Sequence, residues 1–430
     1  MLQNGDLLPG KYMSSNLKSP AGFASGPRSL AARRPFLTAL ALSLGAAISL
    51  GLSRFSYALL LPPMRADLDW TYLLSGTMNT GNALGYFIGA LITPALMWRC
   101  GAQTALIGGA VLASVFMMLS GLTVNTELLI LQRVLAGIAS AFIFIAGGVL
   151  AARLSLLHPD RAGLLIGIYY GGTGVGIVVS ALLVPFALAT ATVHDAAHAW
   201  QLAWVALGAV CLLATLAMAL PSSHVDGAPS APSPHGNFRI QPFAFGLAGY
   251  FMFGVGYIGY MTFVIALLKE QGMNGATITW FYAALGLAVM ASSRIWARML
   301  DRFKGGQSMA ILNGLLGVAT ILPALTAAPP LVFASGVLFG AIFLSIVAST
   351  TALVRHNLPS HAWSSGISAF TTVFALGQII GPAVIGWIAD GPGGLQRGLI
   401  YSALALFIGA GLASRQPALA YAGAKGNAPL

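Results

Sequence analysis

The stretch GGQSMAILNGLLGVATILPALTAAPPLVFASGVLFGAIFLSIVASTTALV (305–354) places fifty residues between Lys304 and Arg355 without a charge. One helix crosses the hydrocarbon of a bilayer with about 20 apolar residues, so this run is too long for a single crossing. It divides at Ala327-Ala328-Pro329-Pro330, because proline disfavours helix at the residue before it. Two spans result, at 307–326 and 331–353. Spans of this length do not fit a transmembrane barrel, whose strands run about 10 residues and alternate in polarity.

Outward from this pair, the same reading gives ten more spans: 36–61, 73–97, 102–122, 127–151, 162–188, 199–220, 241–267, 277–299, 363–389 and 396–414. The fold class is an all-α membrane protein with twelve transmembrane helices. Composition agrees. Hydrophobic residues make up 57% of the 430 and charged residues 7%, against roughly 25% charged in a soluble domain. That excludes a soluble enzyme, and a disordered chain as well. The 52 glycines suit closely packed membrane helices. Cys100 and Cys211 fall in separate apolar regions, so neither a disulfide framework nor a cysteine metal site is implied.

The net charge of +11 is read as membrane orientation, not as nucleic-acid binding. Of the 21 basic residues, sixteen fall in segments or span ends on the side of the N-terminus, three (Arg65, Lys269 and Arg397) on the other, and Arg54 and Arg133 inside spans. By the positive-inside rule both termini are cytoplasmic. Residues 1–35 read as a disordered cytoplasmic tail. Residues 221–240 (PSSHVDGAPSAPSPHGNFRI) read as a cytoplasmic linker between two six-helix bundles, 36–220 and 241–414, with 415–430 a second tail.

An offset of 203 residues aligns the two bundles. Gly51 meets Gly254, Tyr57 meets Tyr260, Arg99 meets Arg302, and RVLAG (133–137) lies over GVLFG (336–340). Gly163 meets Gly366, and Gly174 meets Gly377. An even number of spans per half makes the copies parallel, the plan of a transporter with its substrate between two halves. Four further stretches bear on the family. The loop after the second span reads PALMWRCGA (94–102), and the loop after the eighth reads ARMLDRFKGG (297–306). The eleventh span holds GQIIGPAVIG (377–386), and the first holds GLSRFSYALLLPPMRADLDW (51–70).

On these residues the chain resembles the major facilitator superfamily across about residues 36–414, and its first helix resembles that of a bacterial branch of permeases. The resemblance implies gating roles for Arg99, Asp301 and Arg302, with Trp98 standing where the first loop's aspartate is expected. It implies gating or coupling for the helix-4 arginine, Arg133, and a cavity lined by helices 1, 4, 7 and 10. It also implies a small-molecule substrate, a protein that works as a monomer in the lipid bilayer of the inner or plasma membrane, and no enzyme activity. No cofactor is implied.

Ionisable residues inside a span are functional candidates by default. All ten acids and all seven histidines lie in loops, tails or span ends. His194 and His198 have the spacing of a metal pair but lack a third ligand. Arg54 and Arg133 remain, and at 1.5 Å per residue both lie about 9 Å outside the midplane. With no acid at that depth, a small organic anion is the expected partner, held through bidentate contacts. Snorkelling of Arg54 and helix packing by Arg133 are the alternative readings.

Helix 2 adds Asn79, Asn82 and Tyr86 on one face with Ser75 and Gly89. Helix 7 adds Tyr257 and Tyr260 on a face with Gly246, Tyr250 and Phe253. The expected substrate-binding set is Arg54, Tyr57, Asn79, Asn82, Tyr86, Arg133, Tyr257 and Tyr260. One wall would bind an anion and the other pack a flat, apolar body, while tyrosine packing with satisfied hydroxyls is the plain alternative. Glycines of helix 5 (Gly167, Gly171, Gly172, Gly174, Gly176) and of helix 11 (Gly377, Gly381) would let helices approach and slide. The function so read is secondary transport by alternating access, with a co-transported proton as a further partner that the substrate itself could carry. Drug or metabolite efflux is one alternative, and a transporter-like sensor or scaffold is another.

Overall fold

The structure is a computed structural model, and it describes residues 34–225, 238–359 and 362–419. Most of the two polar tails and of the 221–240 linker lies outside the described residues. Among the described residues, twelve helices are long and apolar enough to cross a membrane. They are α1 (Pro35–Asp67), α2 (Tyr72–Cys100), α3 (Ala102–Ser120), α4 (Thr126–Leu157), α5 (Ala162–Val193), α6 (Ala199–Ser223), α7 (Ala244–Glu270), α8 (Gly275–Ile295), α9 (Gln307–Leu325), α10 (Pro329–Asn357), α11 (Trp363–Ala389) and α12 (Gly394–Ser414). No strand occurs among the described residues.

Local chemistry sets the helix ends. The fifty-residue run breaks between Leu325 and Pro329, with Pro329 in the first turn of α10, where its missing N–H costs nothing. Thr71 caps α2 by accepting from the Leu74 N–H at 3.1 Å, and Asn274, its repeat counterpart, caps α8 by accepting from the Thr277 N–H at 2.8 Å. Helix α8 is shorter than the expected 277–299. It stops at Ile295, and a separate short helix covers Ala297–Arg302. Trp296, at the break, donates its indole N–H to the Ala341 carbonyl at 2.8 Å.

Each half repeats one packing plan. Helix α1 lies on α5, α2 on α4 and α3 on α6, just as α7 lies on α11, α8 on α10 and α9 on α12. The halves meet along α2–α11 and α5–α8, and through the last turns of α1 against α7. The helix-5 glycines divide between these tasks. Gly176 touches Gly51 of α1 within its own half, whereas Gly174 meets Gly286 of α8 across the interface, and a Cβ at either position would collide with backbone. Gly377 and Gly381 let α11 approach α7 in the second half.

Helix α1 carries a nine-residue π-helical stretch, Ala47–Phe55. Side chains and a shifted bond stabilise this irregularity by taking its carbonyls. Ser56 N–H bonds the Gly51 carbonyl at 3.1 Å and Ser56 Oγ donates to the Leu52 carbonyl at 2.5 Å. Arg133 Nη1 donates to the Ser53 carbonyl at 2.6 Å, and the Tyr282 hydroxyl to the Phe55 carbonyl at 2.7 Å. Irregular backbone within a membrane is tolerated where protein groups satisfy it. Arg54 sits in the last turn of this stretch.

Candidate functional site

The expected site residues separate into three groups. Arg133 anchors the first. It is 1% exposed, with Nη1 on the Ser53 carbonyl at 2.6 Å and Nη2 on Asn79 Oδ1 at 3.1 Å. Its guanidinium carbon stands 5.2 Å from the Tyr57 ring and 5.4 Å from the Trp204 ring, which favours the cation electrostatically. Tyr57 donates to the Ser75 carbonyl at 2.9 Å. Asn82 Nδ2 donates to the Arg133 carbonyl at 3.2 Å. Arg133 therefore does not offer the free fork expected of it. Two of its nitrogens bind protein oxygens and tie α4 to α1 and α2.

The second group surrounds Arg54. Its side chain is 3% exposed, and its Nε and Nη2 are sealed from solvent without a hydrogen-bond partner among the described residues. The Tyr86 ring centre is 5.9 Å from its guanidinium carbon. Tyr257 is the residue that corresponds to Arg54 in the second half. Tyr257 donates to Gln378 Oε1 of α11 at 2.8 Å. Rings of the second half continue from there. Tyr257, Phe374, Phe253 and Tyr250 stack with centroids 4.8–5.6 Å apart, and Tyr257 lies parallel to Phe343 at 6.0 Å. Tyr260 belongs to the far end of this wall, bonded to Ser335 at 2.8 Å and stacked on Phe339 at 4.1 Å.

A cavity of about 150 Å³ opens where α2 and α11 diverge toward the end that carries the termini. Tyr86, Phe87, Phe374, Thr371 and Gln378 line it. Tyr86 thus links this cavity to Arg54, and Gln378 links it to Tyr257. The first half brings the charge and the amides, and the second brings the rings. Asn79 joins them, donating from Nδ2 to Thr262 Oγ1 of α7 at 2.8 Å.

The third group is the expected gate at the termini end. Arg99 and Asp301 are exposed, and among the described residues neither side chain forms a hydrogen bond or an ion pair. Arg302 lies over Phe303 at 5.8 Å. The opposite end is cross-linked instead. Asp390, at the end of α11, accepts the N–H of Tyr72 at 2.7 Å and of Leu73 at 2.8 Å. Glu270, at the end of α7, accepts from the Tyr72 hydroxyl. Arg65 lies 3.9 Å over the Tyr72 ring. His198, one of the two histidines with metal spacing, is bonded to Asp67 at 2.7 Å. No group of three or more His, Cys, Asp or Glu stands together among the described residues.

Sequence reasoning missed Gln378, Thr262, Tyr282 and Trp204 as polar partners, and missed Tyr72, Glu270 and Asp390 as a cross-link. Gln378 had a signal, an amide in the middle of a span. The cross-link had little, because its acids lie at span ends where solvation is the ordinary expectation.

Known proteins share sequence or fold with this chain. A chloramphenicol efflux pump of Mycobacterium tuberculosis (Rv0191) is 27% identical over 346 residues, covering 75% of this chain and 79% of that protein. A chloramphenicol resistance protein of Streptomyces lividans is 23% identical over 379 residues, covering 84% and 93%. A putative tartrate transporter of Agrobacterium vitis is 26% identical over 157 residues, about a third of each chain. Among solved structures, a bacterial homologue of the human lysosomal transporter Spinster, inward-facing and occupied, superposes with a TM-score of 0.69 at 16% identity, covering 88% and 96%. The major facilitator transporter FucP, in its outward conformation, gives 0.59 at 14% identity, covering 90% and 99%. These likenesses show the fold, and a family model matches residues 46–414. The chain is a multi-pass membrane transporter of the major facilitator superfamily, and it belongs to the family described as uncharacterised MFS-type transporter YbfB.

Proposed function

We propose that this transporter moves a small organic anion with a flat, apolar body across the inner or plasma membrane by alternating access, as a monomer with both termini cytoplasmic. One observation carries the anion. Arg54 is a buried cation whose Nε and Nη2 have no partner among the described residues. Arginine stays protonated in proteins, and an uncompensated buried charge costs several kcal/mol. A carboxylate arriving beside it relieves that cost and takes both free donors in a bidentate bond. The stacked rings around Tyr257 suit the apolar body. Tyr86 and Gln378, which line the cavity, are the groups a substrate must move. With no acid in the spans, a co-transported proton travels on the substrate or at the helix ends. The basic-residue bias supports the orientation. A maleimide outside the cell should modify His194→Cys and miss Lys304→Cys, and the reverse would invert the map.

Export is the direction favoured by relatives named as chloramphenicol efflux pumps, and the ring wall suits a drug-like body as well as a metabolite. A thermal-shift panel separates the readings: aryl carboxylates, their uncharged amides, tartrate and chloramphenicol, each against parent and Arg54→Gln. Anion transport predicts that carboxylates raise the parent's Tm and leave Arg54→Gln unmoved. A response to chloramphenicol alone, kept in Arg54→Gln, would replace it with efflux of neutral drugs.

A further inference from the structure

The end opposite the termini is closed by an unusual helix cap. The first N–H groups of a helix have no partner within the helix. In α2, Thr71 satisfies Leu74, but Tyr72 and Leu73 donate to the two oxygens of Asp390, which belongs to the other half. Tyr72 reaches a second carboxylate of that half, Glu270, through its hydroxyl. Gly386 seats α11 directly on the Tyr72 carbonyl. A negative charge at a helix N-terminus is also favoured by the helix dipole. Asp390 accepts both bonds best when ionised: once protonated it accepts more weakly, and one of its oxygens carries a donor that faces other donors.

We propose that Asp390 and Glu270 form the proton-responsive lock of this transporter: ionised they hold the far end closed, and protonated they release α2 from α11 and α7. This rests on the alternating-access reading and gives coupling to protons a place outside the spans. The surrounding charges fit a device of two carboxylates. From the first half, Arg65 covers the Tyr72 ring and favours the ionised, closed form. Asp67 of the first half is taken by His198 and Trp200. From the second half, Lys269 is the exposed neighbour of Glu270, and Arg397 is bonded to the Pro392 carbonyl. The sign follows: acid on the far side opens that side, and neutral pH closes it.

The test places spin labels at Ala66→Cys and Gln396→Cys in full-length protein lacking Cys100 and Cys211, reconstituted in lipid nanodiscs. Distances are measured at about pH 7.5 and about pH 3.5, above and below the ordinary carboxylate range of about 3.9–4.3. The parent should gain a far-end-separated population by roughly tenfold on acidification, the scale of losing one charge-assisted bond. The Asp390→Asn/Glu270→Gln double variant should show that population at both pH values. Tyr72→Phe breaks the Glu270 bond without removing an acid, so it should raise the open population and keep the pH response. A parent that separates with bound ligand yet ignores pH, or a double variant with the parent's full pH response, overturns the proton lock alone. A pair that never separates, even when Gly386→Val pries α11 from α2, overturns alternating access itself.

Discussion

Residues 203 positions apart sit at matched places in the two halves and do different work. Arg54 is a buried cation whose Nε and Nη2 have no hydrogen-bond partner among the described residues, whereas Tyr257 is a ring in a stack, its hydroxyl on Gln378. Arg133 is clamped between two rings, whereas at Gly336 the Phe281 ring occupies the space a side chain would take. Asp67 bonds within its own half, to His198 and Trp200, while Glu270 reaches across to Tyr72. The halves share a backbone plan because helix packing is set by small residues at the contacts. Their chemistry has diverged into a polar wall and an aromatic wall. A two-fold scaffold thus presents two unlike walls.

The two arginines break this comparison most sharply, because they should fail in opposite ways. Arg133→Met leaves the Ser53 carbonyl and Asn79 Oδ1 without their donor. Each buried unsatisfied acceptor costs about 1–3 kcal/mol, so roughly 2–6 kcal/mol of stability is lost. Thermal unfolding in detergent checks this, and an unchanged Tm would mean the clamp is not structural. Arg54→Gln removes an unpaired buried charge, so stability should hold or rise. Affinity for a carboxylate should fall about ten- to a hundredfold, the worth of a charge-assisted bond of 1.5–3 kcal/mol. Arg54→Lys keeps the charge without the planar fork and should fall between the two.

Smaller effects sharpen the same contrast. Tyr257→Phe loses one neutral hydrogen bond to Gln378, about 0.5–1.5 kcal/mol, so affinity should change tenfold at most. Equilibrium binding measures it, and a loss as large as that of Arg54→Gln would move the anion site to the second half. Asp301→Asn should change least in the arrangement seen here, since Asp301 is exposed without a partner among the described residues. Its effect belongs to the state in which the termini end closes. Labelling of the native Cys100 should rise a few-fold in Asp301→Asn, the scale of a surface ion pair, and unchanged labelling would remove Asp301 from the gate.

The fold was legible because membrane spans follow from length and hydropathy, and the run between Lys304 and Arg355 broke where its prolines required. The repeat was legible through glycines, and at Gly51, Gly137, Gly174, Gly254, Gly340 and Gly377 the contacts leave no room for a side chain. The π-helical stretch of α1 was not, because its stability comes from Arg133, Ser56 and Tyr282, and two of these lie far away in sequence. Depth along a helix put Arg54 and Arg133 at one level, but depth says nothing of which carbonyls a guanidinium will find. For that reason two arginines that looked alike in the sequence part company in the structure. The far-end lock was hidden by the rule that acids at span ends are usually solvated.

The measurement that bears most directly on the central claim is calorimetric titration of the purified transporter with 4-hydroxybenzoate and with 4-hydroxybenzamide, in the parent and in Arg54→Gln. The two probes share a ring and differ in charge. If Arg54 receives an anion, the parent should favour the carboxylate by about tenfold or more, and Arg54→Gln should bind the two alike. Equal binding of both probes by the parent, or an undiminished preference in Arg54→Gln, would contradict the account.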